Sequence, residues 1–196
     1  MEKSSIVPRN NNIVIEVTKL PVMEDGVYVG EGALGSKTTS QFYYGTALKL
    51  GTDANLADQC PEVREGDGVI FDQGVGYHLD TEDGFCKLVT GHGIVAICSN
   101  LDDMNEKTIK PTGNRILVKI LGEDVVEDGV YDPTAKNPRE ADTQRGVVIS
   151  CASGADQIEA GTIVAFDPYC GNLVVNEGDN KLKTVNSFDI LFSIQD

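Results

Sequence analysis

Histidine and cysteine are the side chains that most often hold zinc, and the chain spaces four of them as His78, Cys86, His92 and Cys98. Structural zinc sites usually take ligands in pairs two to four residues apart, and none of these residues forms such a pair. A Cys–His nucleophile pair would have to use the same two histidines, and nothing in their sequence context would activate a thiol. We therefore interpret them as surface histidines and buried cysteines and predict neither a metal site nor a catalytic pair.

Gly30, Gly32 and Gly35 have the spacing of a dinucleotide-binding fingerprint, Gly-x-Gly-x-x-Gly. That motif needs a helix to begin at this point, so that its amides reach the pyrophosphate, but the following SKTTSQFYYG is β-branched and aromatic. The sequence does not match a phosphate-binding loop either, because Ser36 occupies the position where that motif requires lysine and Lys37 comes one position later. Loop glycines are the simpler interpretation, so no cofactor is predicted.

Acidic residues outnumber basic ones, 31 to 16, which gives a net charge of -15 at pH 7. Such a surface repels phosphate backbones and anionic membranes, so neither nucleic acid nor a membrane is an expected partner. The carboxylates are scattered along the chain, as on a solvated surface, and no catalytic carboxylate pair stands out. The sequence thus favours a binding protein over an enzyme.

The elements that would position any site are short strands. The chain contains 21 glycines and 7 prolines, and the apolar stretches between them are short and rich in valine and isoleucine. No window of a dozen residues keeps the spacing of an amphipathic helix. The pattern predicts an all-β chain.

Two halves of the chain align with each other. Residues 6–17 (IVPRNNNIVIEV) match residues 109–120 (IKPTGNRILVKI), and the same offset aligns VMEDGVY at 22–28 with VVEDGVY at 125–131. Further blocks follow in the same order: Gly45 with Gly146, EGDGVIFD with AGTIVAFD, and KLVTGHGIVAI with KTVNSFDILFS. We therefore predict two domains, residues 1–100 and 108–196, joined by a linker at 101–107. Each has enough short strands to form a small closed or partly open barrel.

The second repeat resembles the co-chaperonins of the GroES type, the ring-shaped lids of a chaperonin folding chamber. The resemblance rests on Lys110-Pro111 with Asn114–Lys119 as an opening strand, on residues 160–166 (AGTIVAF), and on a closing strand at 185–194 (VNSFDILFSI). It covers nearly the whole chain, twice. It implies two tandem GroES-like small β-barrels, OB-like and partly open, with long mobile loops.

The resemblance also implies a docking element, a glycine and a hydrophobic tripeptide on each mobile loop that bind a groove of the chaperonin. The matching positions are Gly26, Val27, Tyr28 and Val29 in the first repeat and Gly129, Val130 and Tyr131 in the second. Polar, glycine- and proline-broken stretches follow both, and loops of this length are usually functional. Val29 completes an apolar triplet whereas Asp132 interrupts the other, so the first loop is the stronger predicted contact. The simpler alternative is that Val and Tyr here are half-buried strand residues after a glycine turn.

The leading hypothesis is a co-chaperonin that forms a homo-oligomeric ring and caps a chaperonin of the GroEL type; the partner, not this chain, binds the ATP. The alternative is a scaffold or virion protein that kept the barrel and ring but lost the chaperonin, and a third, poorer option is a small-molecule-binding β enzyme. The opening MEKSSIVPRNNN lacks a secretory or transit signal. We therefore expect a cytoplasmic location, bacterial or in a phage-infected host, or the chloroplast stroma if a transit peptide was removed.

Overall fold

The computed structural model describes residues 2–18, 23–24, 27–28, 42–52, 60, 62–72, 74–82, 84–121, 143–167, 169–177 and 180–194. β-Strands predominate and no α-helix occurs among the described residues, which confirms the predicted all-β class. The chain divides into two compact units, Met1–Asp102 and Asp103–Asp196.

The first unit contains short 3-10 turns at Lys3–Ser5 and Gly91–Gly93. Its described strands are β1 (Asn12–Thr18), β2 (Met23–Glu24), β3 (Val27–Tyr28), β4 (Phe42–Leu50), β5 (Gly68–Asp72), β6 (Tyr77–Thr81), β7 (Gly84–Thr90) and β8 (Ile94–Cys98). Several of these strands, β1, β5 and β8 among them, are rich in apolar and β-branched residues, the composition that fits a half-buried pleated surface.

The second unit repeats the six longer strands of the first, β1 and β4 to β8. Its described strands are β9 (Ile109–Pro111), β10 (Arg115–Ile120), β11 (Gln144–Cys151), β12 (Ile163–Phe166), β13 (Asn172–Glu177), β14 (Asn180–Asn186) and β15 (Ile190–Ile194). A 3-10 turn at Ser187–Asp189 precedes β15, just as Gly91–Gly93 precedes β8.

The two units share one strand order. In the first unit the antiparallel sheet runs β6–β7–β1–β4–β5–β8, and in the second it runs β13–β14–β10–β11–β12–β15. Irregularities recur at aligned positions: the register shifts between Val14 and Ile15 in β1, and between Leu117 and Val118 in β10. The halves that align in sequence therefore have the same topology and the same β-bulge, a feature that re-aims a strand.

A glycine turn precedes β5 in the first unit and β12 in the second. Gly66 and Gly161 have φ of +92° and +93°, a conformation that L side chains rarely adopt. Their amides donate to the carbonyl oxygens of Ala47 (2.7 Å) and Val148 (2.8 Å), which ties each turn to the neighbouring strand. The aligned Gly-containing segments thus perform the same local task in both units.

Each unit has its own apolar core. The first is built from β-strand and loop side chains: Ile13, Ile15, Ala47, Cys60, Val63, Val69, Phe71, Val89 and Ile94. The second contains the equivalent set: Ile116, Val118, Val148, Ala155, Val164, Phe166 and Val185. A smaller cluster in the first unit joins Ile6, Val14 and Cys86. Burial of these side chains is the main favourable contribution to folding of each unit.

Candidate functional site

The predicted docking element of the first repeat lies within the connection from β1 to β4. Val27 and Tyr28 form β3, which pairs with β2 through Met23–Tyr28 and Glu24–Val27 in a two-stranded sheet of its own. Gly26 and Val29 lie outside the described residues, as do Gly129, Val130 and Tyr131 of the second repeat. The described part of the element is thus a short hairpin.

A buried lysine lies near the point where this connection returns to the sheet. Lys87, on β7, is 1% exposed. Its Nζ donates to the carbonyl oxygen of Val75 at 2.9 Å and lies 4.8 Å from the ring centroid of Tyr43 and 5.9 Å from that of Phe71. Burial lowers the pKa of the Lys87 ammonium, and the Asp72 carboxylate opposes that shift.

The second unit places a lysine at the aligned position. Lys183, on β14, is 7% exposed, and its Nζ lies 5.4 Å from the ring centroid of Phe166, the counterpart of Phe71. Its Nζ donates to Oε1 of Gln144 at 3.1 Å. Burial lowers the pKa of Lys183, and nearby Cys170 and Asp167 act in the opposite direction. Both units therefore hold an ammonium group against an aromatic face, an attractive cation–π arrangement.

Burial of the two lysines limits the chemistry that they could perform, because a substrate could not reach them. A lysine with a lowered pKa can act as a base or a nucleophile, but it must first meet a substrate. With residues 1% and 7% exposed, the two ammonium groups contact the protein's own rings and oxygens. Tyr43 and Gln144 occupy aligned positions at the start of β4 and β11, directly after the two long connections. Each lysine therefore contacts a residue near the start of the strand that follows one of these connections.

Sequence reasoning did not single out either lysine. The signal was present in the alignment of KLV at 87–89 with KTV at 183–185, where each lysine lies two residues before a valine that is fully buried. Alternation along a strand places residues i and i+2 on one face. An aligned lysine on the inward face of both repeats would have marked the pair.

The residues considered for zinc are separated by their environments. His78 and His92 are exposed, whereas Cys86 and Cys98 are buried. Cys86 packs against Ile6 and Val14, and burial raises the pKa of its thiol. Within the part of the chain that the structure describes, no three His, Cys, Asp or Glu side chains are grouped as a metal site.

An exposed apolar patch marks the end of the second unit. Phe188, Leu191 and Phe192 are 70%, 59% and 48% exposed, and β15 is the last strand of its sheet order. The aligned residues of the first unit include Val95 and Ala96, which are 2% and 0% exposed. We call Phe188, Leu191 and Phe192 the β15 patch. Large exposed apolar residues at an edge strand are typical of interaction surfaces.

Comparisons with known proteins identify no family for this chain. No protein-family model matches the chain, and no curated protein matches it either. Among the described residues, no helix is long and apolar enough to cross a membrane.

Proposed function

We propose that the protein is a co-chaperonin, a self-associating lid that binds an ATP-driven chaperonin through the long connections of two tandem GroES-like barrels. Chaperonin binding would centre on Gly26–Val29, with Gly129–Tyr131 as the weaker counterpart. The chain itself takes no nucleotide in this proposal, because the ATP is bound and hydrolysed by the partner.

One observation carries the proposal. Strands β1 and β4 are antiparallel neighbours, as are β10 and β11, and such neighbours can be joined by a turn of two to five residues. Instead, equally long connections join them, residues 19–41 and 121–143, and both contain the sequence EDGVY. Long connections on a regular scaffold are where binding residues concentrate. Their recurrence at one topological position supports a shared binding role.

The hairpin β2–β3 fits this role. Its strands pair only with each other in the described sheets, and an isolated two-stranded hairpin is marginally stable in water. Docking would therefore order the element, so that each contact is weak and several copies are needed for stable capping.

Self-association is supported by the β15 patch. An edge strand with large exposed apolar side chains favours pairing with another chain. Head-to-tail contacts between identical subunits close into rings when the rotation allows it. A second copy of this chain is therefore the proposed occupant of the patch.

The β15 patch equally favours the second candidate, a scaffold or virion protein that assembles without a chaperonin. Co-sedimentation of the full chain with a GroEL-type chaperonin, with and without ATP, separates the two. An ATP-dependent complex supports the lid. If the chain assembles by itself but forms no complex with the chaperonin, with or without ATP, the co-chaperonin proposal is overturned. The scaffold function then becomes the better explanation.

A further inference from the structure

The connection between β1 and β4 leaves the sheet and returns to it at one place. Thr18, the last residue of β1, is the register partner of Tyr44, and β4 begins at Phe42. Antiparallel neighbours place the end of one strand beside the start of the next. We call this part of the first unit, Thr18 with Phe42–Tyr44, the β1–β4 junction.

A buried ammonium group lies against this junction. Lys87 on β7 is the register partner of Ile15 in β1, and its Nζ lies 4.8 Å from the ring centroid of Tyr43. Tyr43 and Phe71 are register partners on β4 and β5, with ring centroids 5.9 Å apart. Because Nζ is also 5.9 Å from the centroid of Phe71, it is within cation–π range of both rings.

A closed turn after β5 supplies the oxygen that accepts the hydrogen bond from Lys87. Oδ1 of Asp72 accepts from the amide of Gly74 at 2.6 Å, and the carbonyl oxygen of Asp72 accepts from the amide of Val75 at 3.2 Å. The carbonyl oxygen of Val75 then accepts from Lys87 Nζ at 2.9 Å. Lys87 therefore joins the turn at residues 72–75 to the β1–β4 junction.

The second unit has the same parts at aligned positions. Asp167 closes the turn after β12, where its carbonyl oxygen accepts from the amide of Cys170 at 3.0 Å. Lys183 Nζ lies 5.4 Å from the ring centroid of Phe166 and donates to Oε1 of Gln144 at 3.1 Å. Gln144 is the first residue of β11 and the register partner of Phe166. This lysine too contacts the strand to which a long connection returns.

We infer, resting on the proposed function, that Lys87 and Lys183 are positioning residues for the two docking connections. Both side chains are buried, so each would act only through the residues that it contacts. Holding the end of a connection against the sheet reduces the conformations open to that connection before it binds. The conformational entropy lost on docking is then smaller, which raises affinity without a new contact.

A positioning role explains why the buried residue is a lysine. Methionine has a similar length and would pack on the same rings without the cost of desolvating an ammonium group. Replacing a buried ionic group by an apolar one of similar volume is often neutral for stability, but a directional hydrogen bond is lost. The geometry that Lys87 imposes is therefore a better explanation of its presence than the stability that it adds.

Hydrogen exchange of the free full chain, followed by NMR, tests the contact without the chaperonin. Lys87→Met should speed exchange of the Val75 amide at least about tenfold, because the turn opens locally. The amide of Gly66, which donates to Ala47 before β5, should exchange as in the unaltered chain. Unchanged exchange at Val75, or an equal rise at Val75 and Gly66, overturns the inference.

Tyr43→Leu, alone and combined with Lys87→Met, shows whether the lysine acts through the junction. The double variant should exchange at Val75 no faster than the faster single variant, because both changes remove one arrangement. If the two single effects instead multiplied in the double variant, Lys87 and Tyr43 would act independently and the inference would be wrong.

Co-sedimentation with a GroEL-type chaperonin and ATP measures the consequence for docking. Lys87→Met should weaken the complex at least about fivefold and Lys183→Met less than about twofold, since the second connection is the weaker proposed contact. Lys110→Met removes the same charge from an exposed position and should bind normally. Normal binding by Lys87→Met overturns the positioning role. If the unaltered chain forms no complex, the proposed function fails, and exchange at Val75 still decides whether Lys87 holds the turn and the junction together.

Discussion

At the scale of single residues, Lys87 and Lys183 are each buried with the ammonium group beside a core aromatic ring, Phe71 or Phe166. Desolvating an ammonium is unfavourable, and the attraction of aromatic rings and the bond to an oxygen offset part of that cost. In the first unit the acceptor is the backbone carbonyl of Val75, and in the second it is the side chain of Gln144. The lysine and its contact with a core phenylalanine ring are thus the parts of the arrangement that recur in both units.

We predict a characteristic pH dependence for Lys87→Met. Around pH 7 the variant should change the free energy of unfolding by less than about 2 kcal/mol, because relief from burying a charge opposes the loss of a donor to Val75. Burial lowers the pKa of Lys87 in the folded state, so above that pKa the unfolded chain binds more protons than the folded chain. Stability of the unaltered chain should therefore rise relative to the variant as the pH increases towards the usual lysine pKa.

Urea unfolding at neutral pH and near pH 10 measures this difference. Lys110→Met, at an exposed lysine, is the matched control and should show a flat difference over the same range. If the difference in free energy of unfolding between Lys87→Met and the unaltered chain did not change with pH, the charge of buried Lys87 would not be destabilising.

At Gly45, the close approach of β1 and β4 leaves no room for a side chain. A Cβ on Gly45 in β4 would overlap the carbonyl oxygen of Glu16 and the side chain of Ile15 in β1. At the aligned Gly146 the nearest atom, the carbonyl oxygen of Lys119, would be 3.0 Å away. Gly45→Ala should therefore destabilise the protein by at least about 2 kcal/mol, and Gly146→Ala by less.

The midpoint of urea unfolding tests this order. Gly66→Ala is a useful comparison, because its φ of +92° strains alanine while no atom lies within 4 Å of the new Cβ. That strain is worth about 1 kcal/mol or slightly more. If Gly45→Ala lowered the free energy of unfolding by no more than Gly66→Ala does, the contact between β1 and β4 at Gly45 would be looser than in the structure.

At the scale of elements, β15 and β8 are aligned strands with different surroundings. Leu191 and Phe192 are exposed, whereas the aligned Val95 and Ala96 are buried. We predict that Leu191→Lys reduces self-association at least tenfold, because it places an ammonium group where the proposed interface is apolar. The fold should be unaffected, since the side chain is 59% exposed.

Native mass spectrometry over a range of concentrations measures this effect, with a thermal melt of each variant beside it. Lysine lowers the net negative charge of the chain, so any loss of association cannot come from added repulsion between acidic copies. Tyr77→Lys is the control, at a residue of another edge strand that is 75% exposed. If Leu191→Lys and Tyr77→Lys weakened self-association equally, the β15 patch would not be the surface through which copies of the chain associate.

At the scale of the whole molecule, the proposed function depends on the connections rather than on the sheets. We predict that Val29→Asp abolishes ATP-dependent capping of a chaperonin, because a carboxylate entering an apolar groove costs at least a few kcal/mol per loop. The cost recurs at every engaged copy, so partial loss at one loop becomes complete loss for the assembly. Asp132→Val should leave capping unchanged or strengthen it.

Co-sedimentation with the chaperonin and a thermal melt are the measurements for these loop variants. Val7→Asp provides a matched control, because Val7 is an apolar residue 72% exposed outside both connections. Normal capping by Val29→Asp would remove this residue from the docking element. A loss of folding instead would make EDGVY a structural strand element.

The all-β class and the shared order of the strands were within reach of the sequence, because both depend on local signals. Valine- and isoleucine-rich runs between glycines predict short strands wherever they occur. Aligned blocks, such as Ile13–Val17 with Ile116–Ile120, predict that whatever one half forms the other forms too. The chaperonin-binding residues stay a prediction, since five of the seven lie outside the described residues.

Only the tertiary structure decided which side chains meet and which remain exposed. Lys3 and Glu16 are thirteen residues apart and lie on different elements, so their ion pair depends on how the 3-10 turn at Lys3–Ser5 packs beside β1. Leu191 and Phe192 have the apolar character of core residues, and they are exposed because burial depends on which elements surround a strand. Local patterns determine the conformation of a segment, whereas contacts between distant segments depend on packing that no single segment contains.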